Sequence, residues 1–175
     1  NKPNLPMLSQ ALHVDERIVH FLLGDNEPDQ RLIEFLDIGP FDKTTPLPDD
    51  VITPIYQAMP NAPIVHMRGL QDMGQEETAA TLCAPYGIEL IIFDAKKAAD
   101  NSISFDDAWQ LSLREGYLRS AAFMVLNWES LLQDDYRQAP RAMWEAMLAY
   151  PLPIFLCGEK DWEPIDNTRN RRLLR

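Results

Sequence analysis

A parallel β-sheet covered by helices on both faces is the fold class this sequence predicts, and three observations predict it. From Ile64 onward short apolar runs alternate with helical ones, the pattern of repeated strand-helix units. The runs Leu90-Ile91-Ile92-Phe93 and Phe123-Met124-Val125-Leu126 carry no polar alternation, as expected of strands buried on both sides. Nine of the 14 prolines precede Ile64, so an irregular, Pro-rich helical arm, residues 1–60, is expected to lead an α/β body of residues 61–175. The expected architecture is a three-layer sandwich with an N-terminal arm.

In the arm, Asp15 is placed to cap a helix whose apolar positions Ile18, Val19, Leu22 and Leu23 recur at helical spacing, with Gly24 to end it. Asp29 is placed to cap a second, through Leu32, Ile33 and Leu36. The run from Gly39 to Pro63, carrying Pro40, Pro46, Pro48, Pro54, Pro60 and Pro63, reads as an extended connector with a short helix around Val51 to Met59. In the body, strands are expected at Ile64–Met67, Glu89–Phe93, Ala121–Leu126 and Pro153–Cys157. Helices are expected near Glu77–Ala84, Phe105–Ser120 and Ala139–Ala149. Phe105, Trp109, Leu113, Tyr117 and Leu118 form an apolar stripe that reads as core packing.

With 175 residues, 46% of them hydrophobic, the chain can bury one core. A net charge of −11 and a pI near 4.6 disfavour nucleic acid and anionic membrane surfaces, both of which select clustered Lys or Arg. No apolar stretch approaches the ~20 residues of a spanning helix, and Asn1-Lys2-Pro3-Asn4 opens no signal-peptide core, so a cytoplasmic location is expected. Cys83 and Cys157 sit in apolar settings and read as reduced core thiols. His13, His20 and His66 fall in no metal-ligand spacing, and no nucleophile-His-acid set stands out. No metal is expected.

The segment Arg68-Gly69-Leu70-Gln71-Asp72-Met73-Gly74-Gln75-Glu76-Glu77-Thr78 has the frame of a phosphate-binding loop, with an apolar strand before it and an Ala-rich helical run after it. In G-x-x-x-x-G-K-[ST] loops, backbone N–H groups cradle phosphates, the Lys reaches the terminal oxygens and the hydroxyl holds Mg²⁺. Gln75 and Glu76 stand at those last two places. With Asp72 and Glu77, the loop offers three carboxylates and no ammonium, which repels a polyanion. Gly69, Gly74, Gln75 and Glu76 are therefore read as a vestigial phosphate loop.

A second motif is altered in parallel. Where a P-loop ATPase ends a buried strand in a magnesium-orienting Asp followed by a water-activating acid, this chain has Asn127 and Trp128. Glu129 lies one residue late and reads as a solvated acid leading the next helical turn. No catalytic residue is expected at 127–129.

At these residues the chain resembles an AAA+ ATPase, of the bacterial kind with two ATPase-like modules that accompanies phage-tail-like contractile injection systems. The likeness begins in Leu8-Ser9-Gln10-Ala11-Leu12-His13-Val14-Asp15-Glu16-Arg17-Ile18-Val19-His20-Phe21-Leu22-Leu23-Gly24, similar to the segment ahead of the family's first module. It continues through the Gly69–Gly74 loop, the strand ending at Glu129, and Ile154-Phe155-Leu156-Cys157-Gly158-Glu159, where the family has a strand bearing a polar nucleotide sensor. The resemblance implies an AAA+ core without its helical lid, a fragment of a longer chain that ends near the last core strand. ATP and Mg²⁺ would belong to the parent protein, and neighbouring subunits of a homo-oligomeric ring would be its partners. It also allows Arg169 or Arg171, in the basic tail, as an arginine finger acting on a neighbour's nucleotide. The expected function is a catalytically silent ATPase-like module serving assembly or regulation. The alternatives are a weak ATP-binding module using loop amides, Arg68 and Glu129, or a non-enzymatic adaptor whose 1–60 arm binds a partner through Leu8, Leu12, Phe21 and Leu22.

Overall fold

The computed structural model describes residues 14–40, 47–70, 73–132, 140–160 and 173–174. Six strands, β1 (Leu36–Ile38), β2 (Ile64–Arg68), β3 (Leu90–Asp94), β4 (Ala122–Leu126), β5 (Ile154–Gly158) and β6 (Leu173–Leu174), form one sheet in the order β1-β3-β4-β5-β2-β6. All neighbours are parallel except β1, which runs antiparallel along β3. The α-helices are α1 (Glu16–Leu22), α2 (Asp49–Ala58), α3 (Gln75–Cys83), α4 (Ala95–Ala99), α5 (Phe105–Arg119) and α6 (Arg141–Ala149). The α/β class with a mainly parallel sheet and helices on both faces agrees with the expectation.

Side-chain alternation divides the interior into two cores. On one face Ile91, Phe93, Phe123, Val125, Ile154 and Leu156 pack under α4, α5 and α6; on the other Val65, Ile92, Met124, Phe155 and Cys157 pack under α2 and α3. Phe93 centres the first core, with the rings of Phe35, Phe105, Trp109 and Phe123 at 5.5–6.1 Å, spacings at which aromatic pairs add to simple burial. The connection from β2 to β3 passes α3 and moves three places along the sheet. Those from β3 to β4 to β5 pass the opposite face and return one place at a time. Reversing both direction and face keeps each crossover right-handed.

The arm shares this core. Leu32, Phe35 and Leu36 are buried with the strands of the first face, and α2 packs on the second, so packing runs continuously across residue 61. The second arm helix expected from Asp29 is instead a single 3-10 turn, Gln30–Leu32, followed by β1. Asp29 does cap that turn through the Arg31 N–H. The backbone then extends because Leu36 and Ile38 point one way and Asp37 the other, and Asp94 N–H and Gly39 N–H pair the two strand ends. Helix α4 was not anticipated either; it starts where Asp94 accepts the Lys96 and Lys97 N–H groups. On α5, Trp109 and Leu113 are buried as the stripe predicts, but Tyr117 is exposed at the helix end, its ring 4.9 Å from that of Tyr150.

Helix α1 packs the wrong way round for its sequence. Its capping Asp15 and its end at Gly24, with φ +88°, are as expected. The buried residue, however, is Arg17, whose Nε and Nη2 donate to the two carboxylate oxygens of Glu115 on α5 at 2.8 and 3.0 Å. Nη1 donates to the Asp25 carbonyl. Arg114 spans Asp15 and Asp29, and Arg31 also meets Asp29. A charge network, with Val19, Leu22 and Leu23 outside it, holds this helix to the body.

Candidate functional site

The loop after β2 and the ends of β4 and β5 meet at one point of the sheet. Chain connections leave β2 and β5, which lie side by side, in opposite directions, and open α/β sheets bind ligands at the carboxyl ends of strands at such a switch point. The cleft there is lined by Gly69, Gln75, Asn127, Glu129, Gly158 and Glu159. The two segments singled out in the sequence meet at this cleft, through Gly69 and Gln75 and through Asn127 and Glu129.

The frame of the loop is built as expected. Gly69 N–H continues the β2–β5 ladder to the Gly158 carbonyl at 3.1 Å. Gly74, at φ +87° and ψ +17°, makes the left-handed turn that starts α3, a conformation that favours glycine. Its carbonyl accepts from Thr78 N–H and from the Thr78 hydroxyl. Glu76 and Glu77 occupy the first turn of α3, so the positive end of that helix is already answered by the chain's own carboxylates. Asp72 lies outside the described residues.

Each chemical position has another occupation. Gln75 folds back, its Nε2 donating to the Leu70 carbonyl at 2.8 Å. Asn127 takes the left-handed turn out of β4, φ +55° and ψ +40°, which Asn tolerates better than most residues. Its Nδ2 donates to Asp94 Oδ1 on neighbouring β3 at 2.9 Å. Trp128 is fully buried in the core beneath α4–α6. Arg68 reaches across the cleft mouth, its Nε donating to the Glu159 carbonyl at 3.2 Å.

Glu129 departs from the expectation of a solvated acid. Its Oε2 is enclosed, without a hydrogen-bond donor among the described residues, and lies in the space that a Cβ on Gly158 would fill. The strand turn after Asn127 directs it there, and Gly158 leaves the room. Its proximity, with that of Glu76, adds to the dominant effect of burial in pushing the Cys157 thiol above its ordinary range. Burial alone pushes the Cys83 thiol up to about 12. Both cysteines are free and buried, as expected, and neither is a nucleophile in that state.

What remains of the cleft is about 20 Å³, room for a water-sized occupant and far below the roughly 300 Å³ at which small-molecule sites begin. Among the described residues no cleft-lining one is cationic, and no set of three His, Cys, Asp or Glu is placed to hold a metal ion. Arg169 and Arg171 lie outside the described residues, as do Leu8 and Leu12 of the arm. Among the described residues no helix is long and apolar enough to cross a membrane. Sequence reasoning missed Asp94, the partner of Asn127; its signal was an acid ending a buried strand just before Ala95-Lys96-Lys97, a helix start. No protein-family model matches the chain, and no curated protein matches it in sequence.

Proposed function

We propose that this chain is a catalytically silent ATPase-like module that serves assembly or regulation within a larger AAA+ ATPase, of the two-module type that accompanies contractile injection systems. The self-closed cleft carries this conclusion. It stands where a P-loop protein binds nucleotide, yet Gln75 is spent on Leu70, Asn127 on Asp94 and Trp128 on the core. What it offers a ligand is carboxylate, not ammonium, and that electrostatic sign disfavours phosphate. Hydrolysis would reside elsewhere in the parent protein with its own ATP and Mg²⁺. This module would contribute contacts to the rest of its chain and to neighbouring subunits of a cytoplasmic ring, with Arg169 or Arg171 as candidate fingers for a competent neighbour.

Glu129 favours a second reading, since an enclosed carboxylate in the cleft is what a weak residual hydrolase would use. Calorimetric titration with ATP and with ADP, with and without Mg²⁺ at low millimolar ligand, separates the two. The silent module gives no heat and no thermal stabilisation. Saturable, Mg²⁺-dependent binding by the unaltered chain refutes it. Affinity gained only by a Gln75→Lys, Glu76→Thr double substitution would show an inherited frame from which chemistry has been removed.

A further inference from the structure

We infer that the outer face of α1 is a docking surface for an amphipathic segment of a partner protein whose apolar stripe is flanked by Lys or Arg. Two independent features of the helix lead there. Its amphipathic pattern is inverted in the fold: Arg17 is 6% exposed and faces Glu115, itself fully buried, whereas Val19, Leu22 and Leu23 are 40, 76 and 80% exposed. A helix of seven residues is too short to persist by itself and is ordinarily held by its apolar face. Here the Arg17 guanidinium holds it through both oxygens of Glu115 and the Asp25 carbonyl, with Ile18 and Phe21 half-buried, leaving Val19, Leu22 and Leu23 exposed. Val14, also exposed, extends the face at its start.

The second feature is the charge around that face. Glu16, Val19 and Leu23 lie at i, i+3 and i+7, so an acid shares the apolar stripe. Asp25 and Glu27 follow just past the helix end and are exposed. Asp15 and Asp29 are matched by Arg114 and Arg31, but Glu16 and Glu27 have no ion-pair partner among the described residues. An apolar patch with an acidic rim selects the complementary arrangement, since like-charge juxtaposition at a rim is costly and opposite charge speeds encounter. A second copy of this chain would bring the same rim, on a molecule of net charge −11, against itself; the basic amphipathic partner is therefore favoured over self-association.

The test uses the full chain and synthetic probes: a fluorescent amphipathic peptide of about 18 residues with a leucine stripe flanked by lysines, and its glutamate-flanked counterpart. Anisotropy is measured against the unaltered chain and against Leu22→Ser/Leu23→Ser, whose exposed positions leave the fold intact by circular dichroism. The lysine-flanked peptide should bind, with affinity falling on added salt, and roughly tenfold or more should be lost on the double substitution and on the change to glutamate flanks. Failure of the lysine-flanked peptide to bind the unaltered chain, or equal binding by the double variant, overturns the inference. So does reversible self-association, seen by sedimentation equilibrium and abolished by Leu22→Ser/Leu23→Ser, which would make a second copy the occupant.

Discussion

Replacing Asn127 by aspartate sets a second carboxylate beside Asp94, and in this fold it should destabilise. Asn127 Nδ2 donates to Asp94 Oδ1 at 2.9 Å, so Asn127→Asp converts a hydrogen bond into two carboxylate oxygens at that separation. Two unit charges 2.9 Å apart repel by about 5.7 kcal/mol at an effective dielectric constant of about 20. The pair can relieve this by taking up one proton. From an ordinary aspartate value of about 3.9, that uptake costs about 4.2 kcal/mol at pH 7 and about 1.5 kcal/mol at pH 5. A single proton shared by the pair can sit on the introduced carboxyl. Once protonated it can donate to Asp94 as Asn127 does. Urea unfolding followed by circular dichroism should therefore show a loss of about 3–4 kcal/mol at pH 7 that shrinks to about 1–2 kcal/mol at pH 5. A variant as stable as the parent at pH 7, or a loss unchanged between the two pH values, would show that Asn127 is not tied to Asp94. It would also free that position to serve the cleft.

Two further outcomes concern the charge network that holds α1. Glu115→Ala leaves the buried Arg17 guanidinium facing Arg114 and Arg119 without its carboxylate, and should cost about 3–5 kcal/mol in urea unfolding, whereas Arg17→Met/Glu115→Leu should recover most of that by removing both charges. Asp29 is held well below the usual carboxylate range, first by its hydrogen bond with Arg31 and then, against the opposing effect of burial, by the Arg31 N–H and by Arg114. A depressed carboxylate stabilises the fold above its unfolded value of about 3.9 and loses that contribution as pH falls below it. Asp29→Asn should thus flatten the acid limb of a stability-against-pH curve below about pH 4, and an unchanged limb would assign acid unfolding to other groups.

The parallel body was legible because its strands are uniform apolar runs and its helices carry stripes long enough to show a period. The arm was legible at α1 and α2 but not in two other respects. Leu36-Asp37-Ile38 is a strand of three residues, over which a period of two and a period of 3.6 predict almost the same apolar positions; the edge of β3, supplied by residues more than 50 positions away, decides between them. Helix α1 lies where its caps place it, but periodicity identifies an apolar side without saying what that side touches. The deciding residue is Glu115, a buried acid on α5 that makes Arg17 the inward-facing residue.

At the cleft, the residues that differ from a P-loop pattern are each held by contacts of this fold. Gln75, Asn127 and Trp128 each have a partner that a substitution there would break: the Leu70 carbonyl, Asp94 and the core beneath α5. A side chain at Gly158 would meet the Glu129 carboxylate, which would have to swing aside. A lysine at position 75 would abandon Leu70, and an acid at position 128 would place a charge in a dry core, where burial without a partner is strongly disfavoured. The small cleft is thus bounded by contacts made where β2, β4 and β5 end.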